Sequence, residues 1–568
     1  MSQRSISRDG GRLFADPGQD GLLHRAFLRG GGFSAEDVRR SPVIGIASSA
    51  SELNPCNAGL GDLAAEVKAG VREAGGLPLE FPTISISEPY TRPTSLYLRN
   101  LMSMDVEEMI LASPIDGVIL LGGCDKTIPA QLMGAISADI PALVLAAGPR
   151  PVSCFQDNDA FTVGDVWPVC EKRRLGQLDD EEWFAFEGRT NIGVGTCNVM
   201  GTATTMAAIA EVLGFAPPGS TLPAAASSAR REIARLTGAV LTAADNPWPR
   251  PSELVTMASL ENAFRVITAL GGSTNALIHL EAIAGRAGLR IGIERFEQWS
   301  RTTPVLADVR PAGSFLLDDL DAAGGIPEVM RRLSDRIDTD ALAGDGRRWS
   351  EVLAERAPAA AHPALRDTQN PIAERGALRM MRGSLAPGGC VMKLAAGAPA
   401  VRRAPVVVFD GLDDLYARID DPDLDVTPET ILVLRGLGVI GAPGMPEVGH
   451  LPIPRKLMEQ GVEDMTRISD ARMSGTSTGS VILHVTPESA VGGPLAKLRT
   501  GDIVEIDADA GTIDHCVPAA GFAAREPIMQ PMTAERGYAR LHREHVLQPD
   551  AGCDFDFLTA AELRTDAR

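Results

Sequence analysis

The chain has 568 residues, 44% hydrophobic and 23% charged, a balance that describes a globular protein too long for one hydrophobic core and excludes a disordered or membrane-embedded chain. Acidic residues outnumber basic ones by 74 to 54, and the net charge of -20 repels nucleic-acid phosphates and anionic membrane surfaces. A small anionic substrate would therefore need a metal or concentrated Arg and Lys at its site.

The first residues, MSQRSISRDGGRLFADPGQD, contain no apolar segment suited to a secretory signal, and no run reaches the length of a membrane span. The expectation is a cytoplasmic protein with no nucleic-acid or membrane partner. From residue 42 to 148, short apolar runs (PVIGIA, LPLEF, GVILL, PALVLAA) alternate with longer amphipathic stretches, which predicts strands joined by helices. In the first predicted helix Leu60, Leu63, Val67 and Val71 recur at spacings of three and four, one apolar stripe, and Gly75 and Gly76 end it. Continuous apolar strands with helical crossovers predict a parallel sheet covered on both faces, a doubly wound α/β domain. Such domains bind ligands beyond the carboxyl ends of their strands. Residues 200–300 read as mainly helical, and a weakly periodic stretch near 355–375 is the candidate connection between domains. Beyond it, APVVVF, TILVLRGLGVI, SVILHV and DIVEIDA are separated by Gly- and Pro-rich turns, predicting a smaller β-rich domain, a barrel or a sandwich. The expected division is 1–370 and 371–568.

The predicted strand ends carry unusual residues. Cys56 follows the first strand in SELNPCNAG, Glu88 follows the second in TISISEPY, and Cys124, Asp125 and Lys126 follow the third in LLGGCDKTIP. Cys197 lies in GVGTCNVMGTATT, where a Gly-flanked loop enters a helix. A free cysteine is most often a small buried hydrophobe, but these three sit in polar or Gly-rich loops, unlike Cys154, Cys170, Cys390, Cys516 and Cys553. Three thiolates leave an iron-sulfur cluster one ligand short, and an open iron position is a Lewis-acid site. Asp125 and Glu88 offer hard oxygens suited to magnesium, or serve as helix caps or solvated carboxylates; Lys126 would otherwise pair with an acid. In the C-terminal part, GAPGMPEVGH carries Glu447, and ISDARMSGTSTGS carries Ser474 and Thr476, either segment also readable as turn chemistry. A serine needs a metal or a cationic neighbour such as Arg472 before it takes a proton. The loop GGSTN, Gly271–Asn275, suits a carboxylate held on backbone amides or an ordinary capped turn, and His279 and His484 read as structural.

Together NPCN, GGCDK, GTCNVMGTA, GGSTN, GMPE, and DARMSGT followed by HVTPESAVGGPL resemble the family of dihydroxy-acid, phosphogluconate and sugar-acid dehydratases, over roughly residues 20–560. SISEPYTRPTSLYLRN and the ending RGYARLHREHVLQPDAGCDFDFL are similar to the sugar-acid branch, although ASSASELNPC lacks the aromatic residue that many of those members carry before Ser-Glu. The resemblance implies a doubly wound N-terminal domain, a C-terminal β-barrel, an active site between them, and a homodimer or homotetramer. It further implies that Cys56, Cys124 and Cys197 hold a 2Fe-2S cluster, with 4Fe-4S as the alternative. Glu88, Asp125, Glu447 and a carbamylated Lys126 would bind magnesium (Mg2+), with Ser474 as base and Thr476 beside it at the substrate. The implied reaction is dehydration of a pentonate or hexonate to the 2-keto-3-deoxy acid, the alternative being the dihydroxy-acid step of branched-chain amino acid synthesis. A nucleotide- or phosphate-binding enzyme is the rival suggested by the Gly-rich loops, but no Walker string or dinucleotide fingerprint stands at a strand-to-helix turn. A third reading is a non-catalytic protein that kept the fold and lost the reaction.

Overall fold

The computed structural model describes residues 10–155, 158–243, 248–393, 400–477 and 479–559. Four parallel strands, β1 (Val43–Ser48), β2 (Leu77–Pro82), β3 (Gly117–Gly122) and β4 (Ala142–Ala146), lie in the order β2-β1-β3-β4. Every residue of β1 and β3 is buried, which accounts for their unbroken apolar sequence. Side chains alternate across the sheet. Ile44, Ile46, Ile119 and Leu121 meet the helices Leu60–Glu73 and Ser228–Thr242, while Val43, Val118 and Leu120 meet the helices Leu96–Ala112 and Thr127–Ala138. The stripe Leu60, Leu63, Val67 and Val71 faces the sheet, and Gly75 turns the chain at a φ of 95° just past the helix end. The helices that follow the adjacent strands β1 and β3 lie on opposite faces, so a crevice opens between the carboxyl ends of these two strands.

A hairpin of β5 (Ser153–Phe155) and β6 (Asn158–Phe161) precedes a helical region. Its helices Thr202–Val212 and Asn275–Arg286 are buried at every residue, and Met257–Ala269 at nearly every one, so this region completes the first core. Between Glu355 and Leu378 the chain forms only isolated bridges, at Leu365 and Ala373.

The eight remaining strands are β7 (Leu378–Met381), β8 (Gly389–Lys393), β9 (Val401–Asp410), β10 (Ile431–Arg435), β11 (Arg467–Ser469), β12 (Val481–Thr486), β13 (Ile503–Asp507) and β14 (Thr512–His515). They form one sheet in the order β14-β13-β9-β10-β11-β12-β8-β7. The two ends of this sheet meet: the Arg382 N–H donates to the Gly511 carbonyl and the Ile513 N–H to the Arg382 carbonyl, each at 3.0 Å, so the sheet curls into a near-closed barrel that leaves little free edge. Met392, Val408, Val433, Ile468 and Ile482 belong to its apolar core. The strands β9 to β12 are mutually parallel, with the helix Gly411–Arg418 crossing from β9 to β10.

After the barrel the chain returns to the first domain. Arg99 donates to the carbonyls of Gly552 and Cys553, both at 2.8 Å. Arg286 grips Asp554 at 2.6 and 3.1 Å, with both side chains fully buried. No helix among the described residues is long and apolar enough to cross a membrane. Asp554→Ala would leave the buried Arg286 guanidinium with Glu107 at 3.3 Å as its remaining acidic partner, and is expected to cost about 3 kcal/mol. Chemical denaturation checks this: the midpoint should fall for Asp554→Ala and fall less for the apolar pair Arg286→Met with Asp554→Leu.

Candidate active site

The crevice at the ends of β1 and β3 holds the cysteines. Cys56 and Cys124 are buried in loops tied together by Asn57, whose Oδ1 accepts the Cys124 N–H at 3.1 Å while its Nδ2 donates to the Ser49 carbonyl at 3.2 Å. Gly123 permits this approach, because a Cβ there would lie 2.6 Å from the Ala147 Cβ and 2.9 Å from Asn57 Oδ1. Contact with Cys56, then burial, pushes the Cys124 thiol well above its usual range, while the Glu88 N–H donates to its sulfur at 3.3 Å. Cys197 lies on the loop that pairs with Pro149 and Arg150, and burial, with Asp125 beside it, pushes its thiol up to about 12. Arg150 reaches Cys56 Sγ at 3.8 Å and the Gly195 carbonyl at 2.8 Å. Cys56 and Cys124 are thus in contact, with Cys197 near Asp125 and Cys124, whereas Cys390 lies in the barrel core, Cys553 in the returning tail, and Cys154 and Cys516 at the surface.

Beside them stand three carboxylates, Glu88, Asp125 and Glu447, with ligand-capable oxygens all within 4.8 Å of one another. Two come from the sheet edge and Glu447 from the barrel domain. The fully buried Lys126 Nζ sits 3.0 Å from Glu88, 2.8 Å from Glu447 and 3.6 Å from Asp125. Arg472 Nη1 and Asn275 Nδ2 donate to the same Glu447 oxygen at 2.6 and 2.7 Å, and Ser95 and Thr94 donate to Glu88. Burial raises the Asp125 carboxyl to about 6 against the pull of Lys126. Burial also pushes Glu447 up, but Lys126 and Arg472 outweigh it and hold it below the usual carboxylate range. Lys126 is raised: burial and Arg472 disfavour its charge, and the three carboxylates together overcome them. Three anions face two cations, so one negative charge is uncompensated in a desolvated place. A hard divalent cation fits this donor set, and the Lys126 ammonium stands where its charge would be needed. Three thiols, Cys56 and Cys124 in contact and Cys197 nearby, would likewise suit iron that keeps an open position.

Ser474 is half-buried, with its Oγ 2.8 Å from Thr476 Oγ1 and 3.3 Å from the Thr476 backbone N. Its loop rests on the start of the helix that follows Cys197, since a Cβ on Gly475 would lie 2.7 Å from the Thr202 N. Asn275 joins this loop to the carboxylates, donating to the Met473 carbonyl at 3.4 Å as well as to Glu447. Thr476 opens onto a cleft of about 940 Å³ that Trp167, Arg310 and His450 also line.

Models of the dihydroxy-acid/6-phosphogluconate dehydratase N-terminal and C-terminal regions match residues 41–352 and 363–553. The chain belongs to the dihydroxy-acid/6-phosphogluconate dehydratase family. Within it, the chain is 42% identical over 570 residues to a 6-deoxy-6-sulfo-D-gluconate dehydratase of Pseudomonas putida, covering 99% of this chain and 96% of the relative. It is also 42% identical over 559 residues to an L-arabonate dehydratase of Azospirillum brasilense, covering 96% of each. A dihydroxy-acid dehydratase of Aeropyrum pernix is 34% identical over 557 residues, covering 96% of this chain and 99% of the relative.

Some site residues differ from their sequence reading. Arg472, expected beside Ser474, is committed instead to Glu447, the Met445 carbonyl at 2.7 Å and Thr94 at 3.2 Å. In the GGSTN loop the Asn275 side chain donates to Glu447, while the Ser273 and Asn275 N–H groups donate to the hydroxyls of Thr205 and Ser273. His279 is buried with Nδ1 3.2 Å from Arg99, while its Nε2 and that of buried His484 have no hydrogen-bond partner among the described residues. Ser95, Arg150 and Trp167 are site residues that the sequence does not mark on their own: Ser95 lies within SEPYTRPTS, and nothing near Arg150 or Trp167 signals a role. Because Asn275 positions Glu447, Asn275→Ala is expected to weaken divalent-cation binding by about 10- to 100-fold. Titration with Mn2+ followed by electron paramagnetic resonance checks it, and unchanged affinity would remove Asn275 from the metal site.

Proposed function

We propose that this protein is a sugar-acid dehydratase, taking water from C2 and C3 of a pentonate or hexonate to give the 2-keto-3-deoxy acid. What supports the reading is the carboxylate trio Glu88, Asp125 and Glu447 beside Cys124, which Asn275 ties to the loop of Ser474, in a chain nearer to sulfogluconate and arabonate dehydratases than to a dihydroxy-acid dehydratase.

In this reading Cys56, Cys124 and Cys197 hold an iron-sulfur cluster, 2Fe-2S with 4Fe-4S as the alternative. Glu88, Asp125, Glu447 and a carbamylated Lys126 hold magnesium. Carbamylation would turn the Lys126 terminus from a cation into an anionic oxygen ligand, relieving the competition between ammonium and metal for the middle of the trio. When bound, the two groups supply Lewis acidity at the leaving C3 oxygen and at the substrate carboxylate and C2 hydroxyl. Ser474 Oγ takes the C2 proton, the C3 hydroxyl leaves, and the enol so formed tautomerises to the keto acid. Thr476 holds the Ser474 oxygen and meets the substrate at the cleft. The reading assigns the cluster ligands Cys56, Cys124 and Cys197 and the metal ligands Glu88, Asp125 and Lys126 to a domain spanning 1–370, and Glu447 with the serine to a barrel domain spanning 371–568. The assembly is a homodimer or homotetramer working in the cytoplasm on a small-molecule sugar acid.

Anaerobic purification with iron and sulfide analysis, then a keto-acid assay across pentonates, hexonates and 2,3-dihydroxyisovalerate, tests the reading. An aldonate should show the highest kcat/KM; a preference for 2,3-dihydroxyisovalerate would overturn it. Ser474→Ala should lower kcat by about 10²- to 10⁴-fold with little change in KM. Cys124→Ser should lose iron and visible absorbance, and full iron content in that variant would refute the cluster assignment.

A further inference from the structure

Among the described residues, the Ser474 hydroxyl is bonded to Thr476 alone, through the side-chain oxygen at 2.8 Å and the backbone N–H at 3.3 Å. Thr476 Oγ1 has a second partner, from the other domain: the indole N–H of Trp167 donates to it at 3.0 Å. An indole N–H can only donate, so the Thr476 oxygen accepts there and keeps its own proton for Ser474. While both hydroxyls are protonated either can donate to the other. Once Ser474 has lost its proton only Thr476 can.

The geometry points to Trp167 as a positioning residue for the base. By engaging a lone pair of Thr476, it anchors that oxygen beside Ser474 and polarises its O–H toward Ser474 Oγ. The serine oxygen then receives two donors from one residue, an arrangement that favours its anionic form. The inference rests on the reading of Ser474 as the group that takes the C2 proton.

The way Trp167 is held supports this role. It is the second residue of the helix Val166–Arg174, just after Asp165. That carboxylate accepts the Thr162 N–H at 2.7 Å and the Thr162 hydroxyl at 2.9 Å, and pairs with Arg310 at 3.2 Å. The Arg310 carbonyl in turn accepts the Met200 N–H at 2.8 Å, close to the Cys197 loop. Trp167 remains 39% exposed and lines the cleft, so core packing does not account for it, and its one polar atom is directed at Thr476.

The test uses the full-length, cluster-loaded protein with Trp167→Phe, Thr476→Val, Thr476→Ser and the double variant Trp167→Phe with Thr476→Val. Trp167→Phe keeps a ring and loses the donor. It should lower kcat about tenfold with KM nearly unchanged. The acidic limb of the pH profile should move to higher pH, because the base holds its proton more tightly. In the Thr476→Val background Trp167→Phe should lower kcat no further and leave the acidic limb where Thr476→Val alone puts it. Wild-type kcat and pH limb in Trp167→Phe, or an equal loss in both backgrounds, would overturn the proposal. A second readout needs no turnover: with 15N-labelled tryptophan, Thr476→Val should shift the Trp167 indole N–H resonance and Thr476→Ser should not. A resonance unmoved by Thr476→Val refutes the bond. If the wild type makes no keto acid, the dehydratase reading falls, and the indole resonance still decides whether the relay exists.

Discussion

The contact on which the rest of the molecule depends is the buried ammonium of Lys126, held between Glu88 and Asp125 of one domain and Glu447 of the other. Neither partner set is tolerable alone. A fully buried lysine without anions would lose its charge, and three desolvated carboxylates without a cation would take up protons. The domains therefore meet at a point where each neutralises what the other cannot leave exposed. Arg472 and Asn275, which both converge on Glu447, hold the barrel side of that meeting in register.

This arrangement resolves a conflict present in the composition. A protein of net charge -20 must attract an anion, yet its own cluster is short of positive charge by one. An added divalent cation would supply concentrated positive charge at the one spot where an anion must bind against the whole-protein field. The conflict and the candidate metal site are thus two views of one electrostatic requirement.

Much of this was legible before any coordinates. The parallel sheet followed from unbroken apolar strands, since only a sheet covered on both faces tolerates Val, Ile and Leu at consecutive positions, as β3 does. Cys56, Glu88 and Cys124 stood out because each follows a predicted strand, where local order determines placement. Contacts made across the chain were less legible. Sequence adjacency pairs Arg472 with Ser474, but the folded chain pairs it with Glu447, and Met445, at a φ of 56°, turns its carbonyl to accept from the same guanidinium. Trp167 carries no motif, and its partner lies 309 residues away. Parallel pairing within β9 to β12 was equally hidden, since Gly- and Pro-rich turns mark where strands end and not which way the next one runs.

The tail bound by Arg99 and Arg286 has a mechanical consequence. The barrel is attached to the first domain at its entry, after Glu355, and again at its exit, through residues 552–554. A body fastened at two places cannot pivot freely about either. Two fastenings define an axis, so any parting of the halves is confined to a turn about the line that joins them.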